Sequence, residues 1–246
     1  MTMDTTAFPE WQTRTALLLG PDKLRRLREA HVLVMGLGGV GAYAAEMLCR
    51  AGVGRMTIVD GDIIESSNRN RQLPALTSTL GRKKGEVVGE RLRDINPGLE
   101  LTVINEFIRD EKTAELLDAA PYDCVVDAID TLSPKLNLIC KALDRRLKIV
   151  SSLGAGGRLD PSLVRAADIS KSYNCNLARA LRKRLHRRGV HSGFQVIFSP
   201  EDVPDEAVTE GENDLGKFRS TVGTVSYMPA VFGCHCAAAV IRELLG

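Results

Sequence analysis

The chain has 246 residues, 44% of them hydrophobic and 26% charged, with 33 Lys and Arg against 31 Asp and Glu for a formal net charge of +2. That composition excludes a chain too polar to bury a core and fits a globular protein with room for one large α/β domain. The near balance of charge carries no argument about partners; its distribution along the chain does.

No charged segment followed by an apolar core opens the chain, and "ALLLG" at 16–20 is too short for a secretory signal. A cytoplasmic setting is therefore expected, with the six cysteines reduced. After a short arm, "PDKLRRLREA" reads as a helix started by Pro21. "HVLVMG" is a short Val-rich run ending at glycine, as a buried parallel strand should be, over 32–36. Gly36, Gly38 and Gly41, with Gly39 between them, spell a glycine-rich turn before a helix over 39–51 that closes on Gly52. Strand, glycine turn and helix in that order bind phosphate on the helix N-terminus, through its free N–H groups and its dipole. Asp60 ends the next strand, 55–60, at the distance of a ribose-binding acid.

A nicotinamide dinucleotide site would need no more than this. "SSNRNRQ" at 66–72 adds Asn68 and Arg71, and "GRKKGE" brings Lys83 and Lys84 to the start of a helix over 80–95. Arg grips phosphate oxygens with a planar fork and Lys offers a point charge, so the set suits a triphosphate; a solvated basic run is the bland alternative. A strand at 100–105 and a helix at 110–119 follow. The strand 123–127 ends in Asp127, and Asp130 stands in the loop before a helix over 134–146. An acid there can cap the helix, or hold Mg²⁺ beside phosphates. A strand at 147–152 completes the alternation, which predicts a doubly wound, mostly parallel α/β sheet with its ligands at the strands' carboxyl ends.

From residue 153 the pattern changes. "GAGGRLDPS" is a glycine-rich loop, "LVRAADISKS" an edge strand and turn, and "CNLARALRKRLHRRG" a helix with Leu177, Leu181 and Leu185 on one face. "GFQVIFSP" is a further strand, 199–221 a polar crossover loop, and a helix from Pro229 to Leu245 closes the fold. The stretch 222–241 approaches membrane length, but Thr, Ser, Tyr, Pro and His dilute it, and a buried core helix rather than a membrane span is expected. Nine Lys and Arg lie between 158 and 191, among them Arg179, Arg182, Lys183, Arg187 and Arg188, against Asp160 and Asp168. The tract 201–214 reverses the sign, with seven acids. The basic helix suits the phosphates of an RNA; a solvated face or an acidic protein partner are the alternatives. No C-x-x-C pair exists, which disfavours a four-cysteine zinc knuckle. Cys49, Cys124 and Cys140 read as core thiols. Cys175, Cys234 and Cys236 could serve a sulfur-relay partner, with His235 placed to lower a neighbouring thiol's pKa.

The order of these motifs, the glycine turn, "VDGD", "SNRNRQ", Lys84 and "DAIDT", resembles the ubiquitin-activating-enzyme-like (ThiF/MoeB-type) adenylating superfamily, over nearly the whole chain. The resemblance implies a Rossmann-like, doubly wound sheet with a C-terminal extension. It divides one adenylating domain, 1–246, into an arm and helix (1–30), a nucleotide-binding core (31–152) and a substrate-binding, closing half (153–246). It also implies Mg-ATP as the reagent that turns a carboxylate into an acyl-adenylate. Gly36, Gly38, Gly39 and Gly41 would line the phosphate loop, and Asp60 would hold the ribose. Asn68, Arg71 and Lys84 would take the phosphates, and Asp130 the Mg²⁺. Arg14, in "WQTRTALLLG", matches an arginine that reaches the ATP of a neighbouring subunit, which implies a homodimer; the residues flanking it depart from the usual pattern.

"IVSSLGAGG" with "LDPS", "ADISKS", the basic helix and "STVGTVSYMPAVFG" are similar to the branch of that superfamily that acts on a threonylcarbamoyl-adenosine of tRNA. In that branch the threonyl carboxylate is adenylated and then closes into a ring with loss of AMP, a net dehydration. Adenylating the C-terminus of a ubiquitin-like sulfur carrier is the alternative and would use the same ATP residues. A nucleotide-binding module without turnover stays open, since an inactive homologue can retain most of these motifs; a dehydrogenase would leave Asn68, Arg71, Lys84 and Asp130 unexplained.

Overall fold

The structure is a computed structural model, and it describes residues 8–212 and 218–246. The chain runs α1 (Thr13–Leu19), α2 (Pro21–Glu29), β1 (His31–Met35), α3 (Gly41–Ala51), β2 (Arg55–Val59), α4 (Lys84–Ile95), β3 (Glu100–Ile104), α5 (Glu111–Asp118) and β4 (Cys124–Asp127). It continues through α6 (Leu132–Asp144), β5 (Lys148–Ser152), β6 (Arg165–Asp168), α7 (Asn176–His186), β7 (Gln195–Phe198), β8 (Val208–Glu212), β9 (Phe218–Val222) and α8 (Tyr227–Leu245). Seven strands form one sheet in the order β3-β2-β1-β4-β5-β7-β6. All neighbours pair in parallel except β6, which lies antiparallel on the β7 edge.

The sheet is buried on both faces, which is why its central strands read as unbroken apolar runs. Val32 and Val34 of β1 point to the side covered by α2, α3 and α8, where they meet Leu27, Leu48, Phe232 and Val240. Leu33 and Met35 point to the other side, under α5, α6 and α7, among Leu117, Ile139, Leu181 and Phe198. Each such side chain contributes about 1.5–3 kcal/mol by leaving water. The closing helix thus belongs to the same core as the glycine turn. By length and composition α8 could cross a membrane, but Met228, Phe232, Cys236, Ala237 and Val240 are buried in the fold.

The expected elements are present with shifted ends. α4 begins at Lys84 rather than at residue 80, because 77–79 form a separate 3-10 turn. On α7 the buried positions are Ala178, Leu181 and Leu185, while Leu177 is only half-buried. The segment expected to be a polar crossover loop holds β8 and β9, an antiparallel pair joining Val208–Glu212 to Phe218–Val222. Asp214, one of the acids of the tract 201–214, lies outside the described residues.

The strand order reverses between β1 and β4. A crevice opens at such a switch point beyond the strands' carboxyl ends. The glycine turn leaves β1 there and the loop 128–131 leaves β4 beside it.

Candidate active site

The glycine turn has three positions, Gly36, Gly39 and Gly41, where a side chain would collide with its surroundings. Gly36 has a φ of +90°, and a Cβ there would stand 2.9 Å from the carbonyl oxygen of Ala128. A Cβ at Gly41, the first residue of α3, would run into the carbonyl oxygen of Gly36. Gly39 lies against Pro229 of α8, and Gly38 faces the side-chain amide of Gln72. The N-terminus of α3 carries no side-chain cap. The turn is therefore a bare cradle of backbone at a helix N-terminus, the arrangement that accepts phosphate.

Asp60 is built into the rim of this cradle. Its Oδ2 accepts from the N–H of Leu37 at 2.6 Å and its Oδ1 from the N–H of Asp62 at 2.8 Å. Burial pushes its carboxyl up from the ordinary range, while Lys84 and those two N–H groups pull it back. Asn68 is buried in a 3-10 turn, where its Oδ1 accepts from the Glu65 N–H at 3.1 Å and its own N–H donates to the Glu65 carbonyl at 3.0 Å. Arg71 is steadied through Nη1 by the Ser67 carbonyl at 3.1 Å and Asn70 Oδ1 at 2.8 Å. Lys84 is buried and its Nζ donates to Asp62 Oδ2 at 2.9 Å. Asp62, which the sequence reading passed over although it stands in "VDGD", is the partner that holds this lysine in place. Gln72 Oε1 is buried with no hydrogen-bond partner. A cradle of bare backbone N–H groups, with the donors of Asn68, Arg71 and Lys84 on the same rim, fits a polyphosphate ligand.

On the other side of the crevice, Asp127 and Lys135 form an ion pair of 2.7 Å with both side chains fully buried. Lys135 Nζ also donates to Ser151 Oγ at 3.2 Å and to the Ser152 carbonyl at 2.8 Å, and Ser151 Oγ donates to Asp127 Oδ2 at 2.6 Å. The second oxygen of Asp127 accepts from the N–H of Ile129 at 3.1 Å. The loop 128–131 is thus pinned at its start by Asp127 and behind its end by Lys135. Asp130 is exposed on that loop, and Thr131 rather than Asp130 occupies the N-cap position of α6, without a side-chain cap bond. Among the described residues no three His, Cys, Asp or Glu gather as a metal cage. A single carboxylate beside phosphates suits Mg²⁺, which keeps waters and phosphate oxygens as its other ligands.

The fold brings Gly36, Gly38, Gly39, Gly41, Asp60, Asn68, Arg71, Lys84 and Asp130 to one edge of the sheet. It does not bring Arg14 there. Arg14 is exposed on α1, and the preceding Gln12 packs against Gly52, at the far end of α3 from the glycine turn. An α-helix the length of α3 spans about 16 Å.

Along α7, Arg179, Lys183, Arg187 and Arg188 are exposed, as expected of a phosphate-binding face. Arg182 is a correction. It is half-buried, and its Nη1 donates to the Ser172 carbonyl at 2.7 Å and to Ser172 Oγ. Its charge is spent on the fold's own backbone, because one turn of helix after Ala178 its side chain reaches back over the segment preceding α7. Arg184, also exposed, donates to Ser133 Oγ at 3.2 Å, so α7 borders the Asp130 loop.

Arg158 is buried without a carboxylate partner among the described residues. Its guanidinium donates to the carbonyls of Ser199, Gly156 and Asn174 at 3.2, 2.9 and 3.1 Å, tying three loops together. Its partners are 41, 2 and 16 residues away, so no local signal marked it.

The cysteines are mostly inert. Burial pushes the thiols of Cys49, Cys124 and Cys236 up to about 12. It also raises Cys234 and lowers His235, so His235 does not activate its neighbours.

The sequence pattern of the ThiF family matches residues 12–246. The tRNA threonylcarbamoyladenosine dehydratase of Bacillus subtilis is 36% identical, over 95% of this chain and 94% of its own length. The protein of that name from Escherichia coli is 39% identical, over 96% of this chain and 94% of its own. A crystal structure of the E. coli tRNA N6-threonylcarbamoyladenosine dehydratase in complex with ATP superposes with a TM-score of 0.87 at 31% identity. It covers 99% of this chain and 97% of that one.

Proposed function

The chain belongs to the ThiF family, and from that premise we propose that it dehydrates threonylcarbamoyladenosine in tRNA, using ATP to activate the threonyl carboxylate. The observation that carries this reading is the placement of the phosphate cradle and a basic helix on one rim, joined through Arg184 and Ser133. The glycine turn, Asn68, Arg71 and Lys84 hold the phosphates, and Asp60 takes the ribose hydroxyls. Asp130 would hold Mg²⁺, which would supply charge neutralisation to the phosphates.

The carboxylate oxygen of the threonyl group bonds to the α-phosphorus and pyrophosphate leaves. The acyl carbon is then attacked from within the same side chain, the ring closes, and the former carboxylate oxygen leaves with AMP. The second step is intramolecular, so its effective molarity is high and the enzyme's task is to hold the chain folded over and dry. No step uses a thiol. A sulfur-relay partner would meet Cys234, the one exposed cysteine among the described residues. The setting this implies is the cytoplasm, where tRNA is.

The active form proposed is a homodimer in which Arg14 completes the partner's site. Trp11, Leu17 and Leu18 are exposed at 41, 64 and 84% on the arm around Arg14, an apolar surface that a second copy would cover.

Mass spectrometry of tRNA nucleosides after incubation with the protein and ATP tests the reaction. Loss of one water from the modified adenosine, with pyrophosphate released, is the expected result. Adenylation of a sulfur-carrier C-terminus, the alternative, would instead release pyrophosphate only when a carrier protein is added.

The exposed face of α7 makes a separate prediction. Changing Arg179, Lys183 and Arg187 together to Ser should weaken tRNA binding and flatten the dependence of log K on log salt by about two to three units, at slightly under one per lost phosphate contact. ATP affinity should stay within twofold, since none of the three lies on the cradle. An unchanged slope would show that these charges face only water.

A further inference from the structure

The segment Ser172–Tyr173–Asn174 is held more firmly than an exposed connection needs to be. Arg182 grips the Ser172 carbonyl at 2.7 Å, and Ser172 Oγ donates to the Ile169 carbonyl at 2.7 Å. Arg158 grips the Asn174 carbonyl at 3.1 Å, and Asn174 Nδ2 donates to the Pro200 carbonyl at 3.0 Å. Asn174 itself has a φ of 50°, a left-handed conformation that costs a non-glycine residue energy and persists only where its surroundings impose it. Two arginines and a strained backbone thus fix the residue between them.

That residue is Tyr173, 47% exposed. Its ring meets that of Phe198 in a T-shaped contact, with centroids 5.7 Å apart and planes at 69°, and nearly half of the residue stays open to solvent. Tyr227, also exposed, donates its hydroxyl to the carbonyl of exposed Leu159 at 2.8 Å, and Leu159 follows Arg158, whose side chain ties that loop to the Tyr173 segment. Between Ile169 and His191 there are seven Lys and Arg and no acid.

An aromatic ring offered to solvent on a rigid mount, among cations, matches an unpaired nucleobase better than a protein side chain. Every base has a π-face to stack, and the phosphates on either side find the charges. The site's position agrees. A Cβ at Gly154, which follows β5 at the carboxyl edge of the sheet, would lie 3.8 Å from Cys175 Sγ and 4.0 Å from Arg158 Nη1. The Tyr173 segment therefore stands on the rim that carries the phosphate cradle.

We propose that Tyr173 is a stacking platform for an unpaired base of the RNA next to the adenosine that enters the active site. This rests on the tRNA reading above and extends it from backbone charge to base contact. It also gives Arg158 and Arg182 a role as positioning residues, which order the platform in advance so that binding does not have to.

The test compares Tyr173→Ser, Tyr173→Phe and Tyr173→Trp in the full-length protein, using tRNA binding over a series of salt concentrations and ATP binding as a control. Tyr173→Ser should weaken tRNA binding about tenfold or more, as loss of one stacked base does. The salt slope should not change, because stacking releases no counterions; this separates it from loss of an α7 charge. Phe and Trp should restore binding to within about threefold of the parent. The proposal is overturned if Tyr173→Ser binds tRNA like the parent, if the salt slope falls with the affinity, or if Phe is as weak as Ser, which would make the hydroxyl the contact. It is also overturned if Tyr173→Ser spares tRNA and instead breaks the oligomer, since the face would then belong to a second copy. Failure of the parent protein itself to bind or dehydrate tRNA would strike the functional reading rather than this platform.

Discussion

Asp130→Asn is expected to lower ATP-dependent turnover by about two orders of magnitude or more while the protein remains folded. Asn has the size of Asp and keeps a side-chain oxygen, but it lacks the charge that would hold Mg²⁺ against the phosphates. Metal stabilisation of phosphoryl charge is worth several kcal/mol, and each 1.4 kcal/mol is about tenfold in rate. Folding should be little affected, because Asp130 is exposed and the loop around it is fixed by Asp127 and Lys135. Pyrophosphate release with tRNA and ATP, measured across a Mg²⁺ titration beside a thermal melt, gives both halves of the result. Near-normal turnover at ordinary Mg²⁺ would remove the metal role from this residue. The same variant tests the composite site: mixed with Arg14→Ala protomers, it should regain part of its activity, because one site of each mixed dimer then has both residues intact. No recovery from demonstrably mixed dimers would confine Arg14 to its own chain.

The largest effect on stability is expected at Lys135. Its ammonium is fully buried with Asp127, and replacing it with Met fills the space but leaves that carboxylate charged, dry and without its ion partner. Breaking one side of a buried pair costs about 3–5 kcal/mol. Small domains are stable by only about 5–15 kcal/mol in total. Lys135→Met should therefore move the urea midpoint steeply downward. The double variant Asp127→Asn with Lys135→Met should recover a large part of the loss, since the one oxygen of Asn can accept from the Ile129 N–H while its NH2 donates to Ser151 Oγ, without a stranded charge. If Lys135→Met melts within 1 kcal/mol of the parent, roughly the size of a surface change, the pair is not holding the loop. If the double variant is no better than the single one, the ammonium's bonds to Ser151 and Ser152 matter more than its charge.

What the amino-acid order shows and what it hides divide by the reach of each contact. The strands and helices of the nucleotide half were legible because a Val-rich run, a glycine turn and a helical spacing are local patterns, and a sheet covered on both faces imposes apolar runs whatever its partners. The corrected ends, as at α4, fall where short 3-10 turns adjoin helices and local signals overlap. The order of β8 and β9 within a polar stretch was not legible, because their apolar content is low and their pairing is with each other.

The sequence by itself determined the order of the sheet's elements, the bare glycine cradle, Asp60 at the end of β2, and the presence of Asn68, Arg71, Lys84 and Asp130 near strand ends. All of these follow from steric and electrostatic demands acting within a few residues. Only the tertiary structure decided what each charge does. Lys84 meets Asp62 across 22 positions, Arg182 meets Ser172 across 10, and Arg158 meets Ser199 across 41. A cation in a sequence looks the same whether it faces solvent, a phosphate or a carbonyl of its own chain. Burial makes the difference, because an arginine or lysine removed from water must be satisfied by whatever the fold brings within 3 Å, and that neighbour is chosen by topology rather than by spacing. So Arg182 became part of the mount beneath Tyr173, while Arg179 and Lys183, on the same helix, were left to the surface.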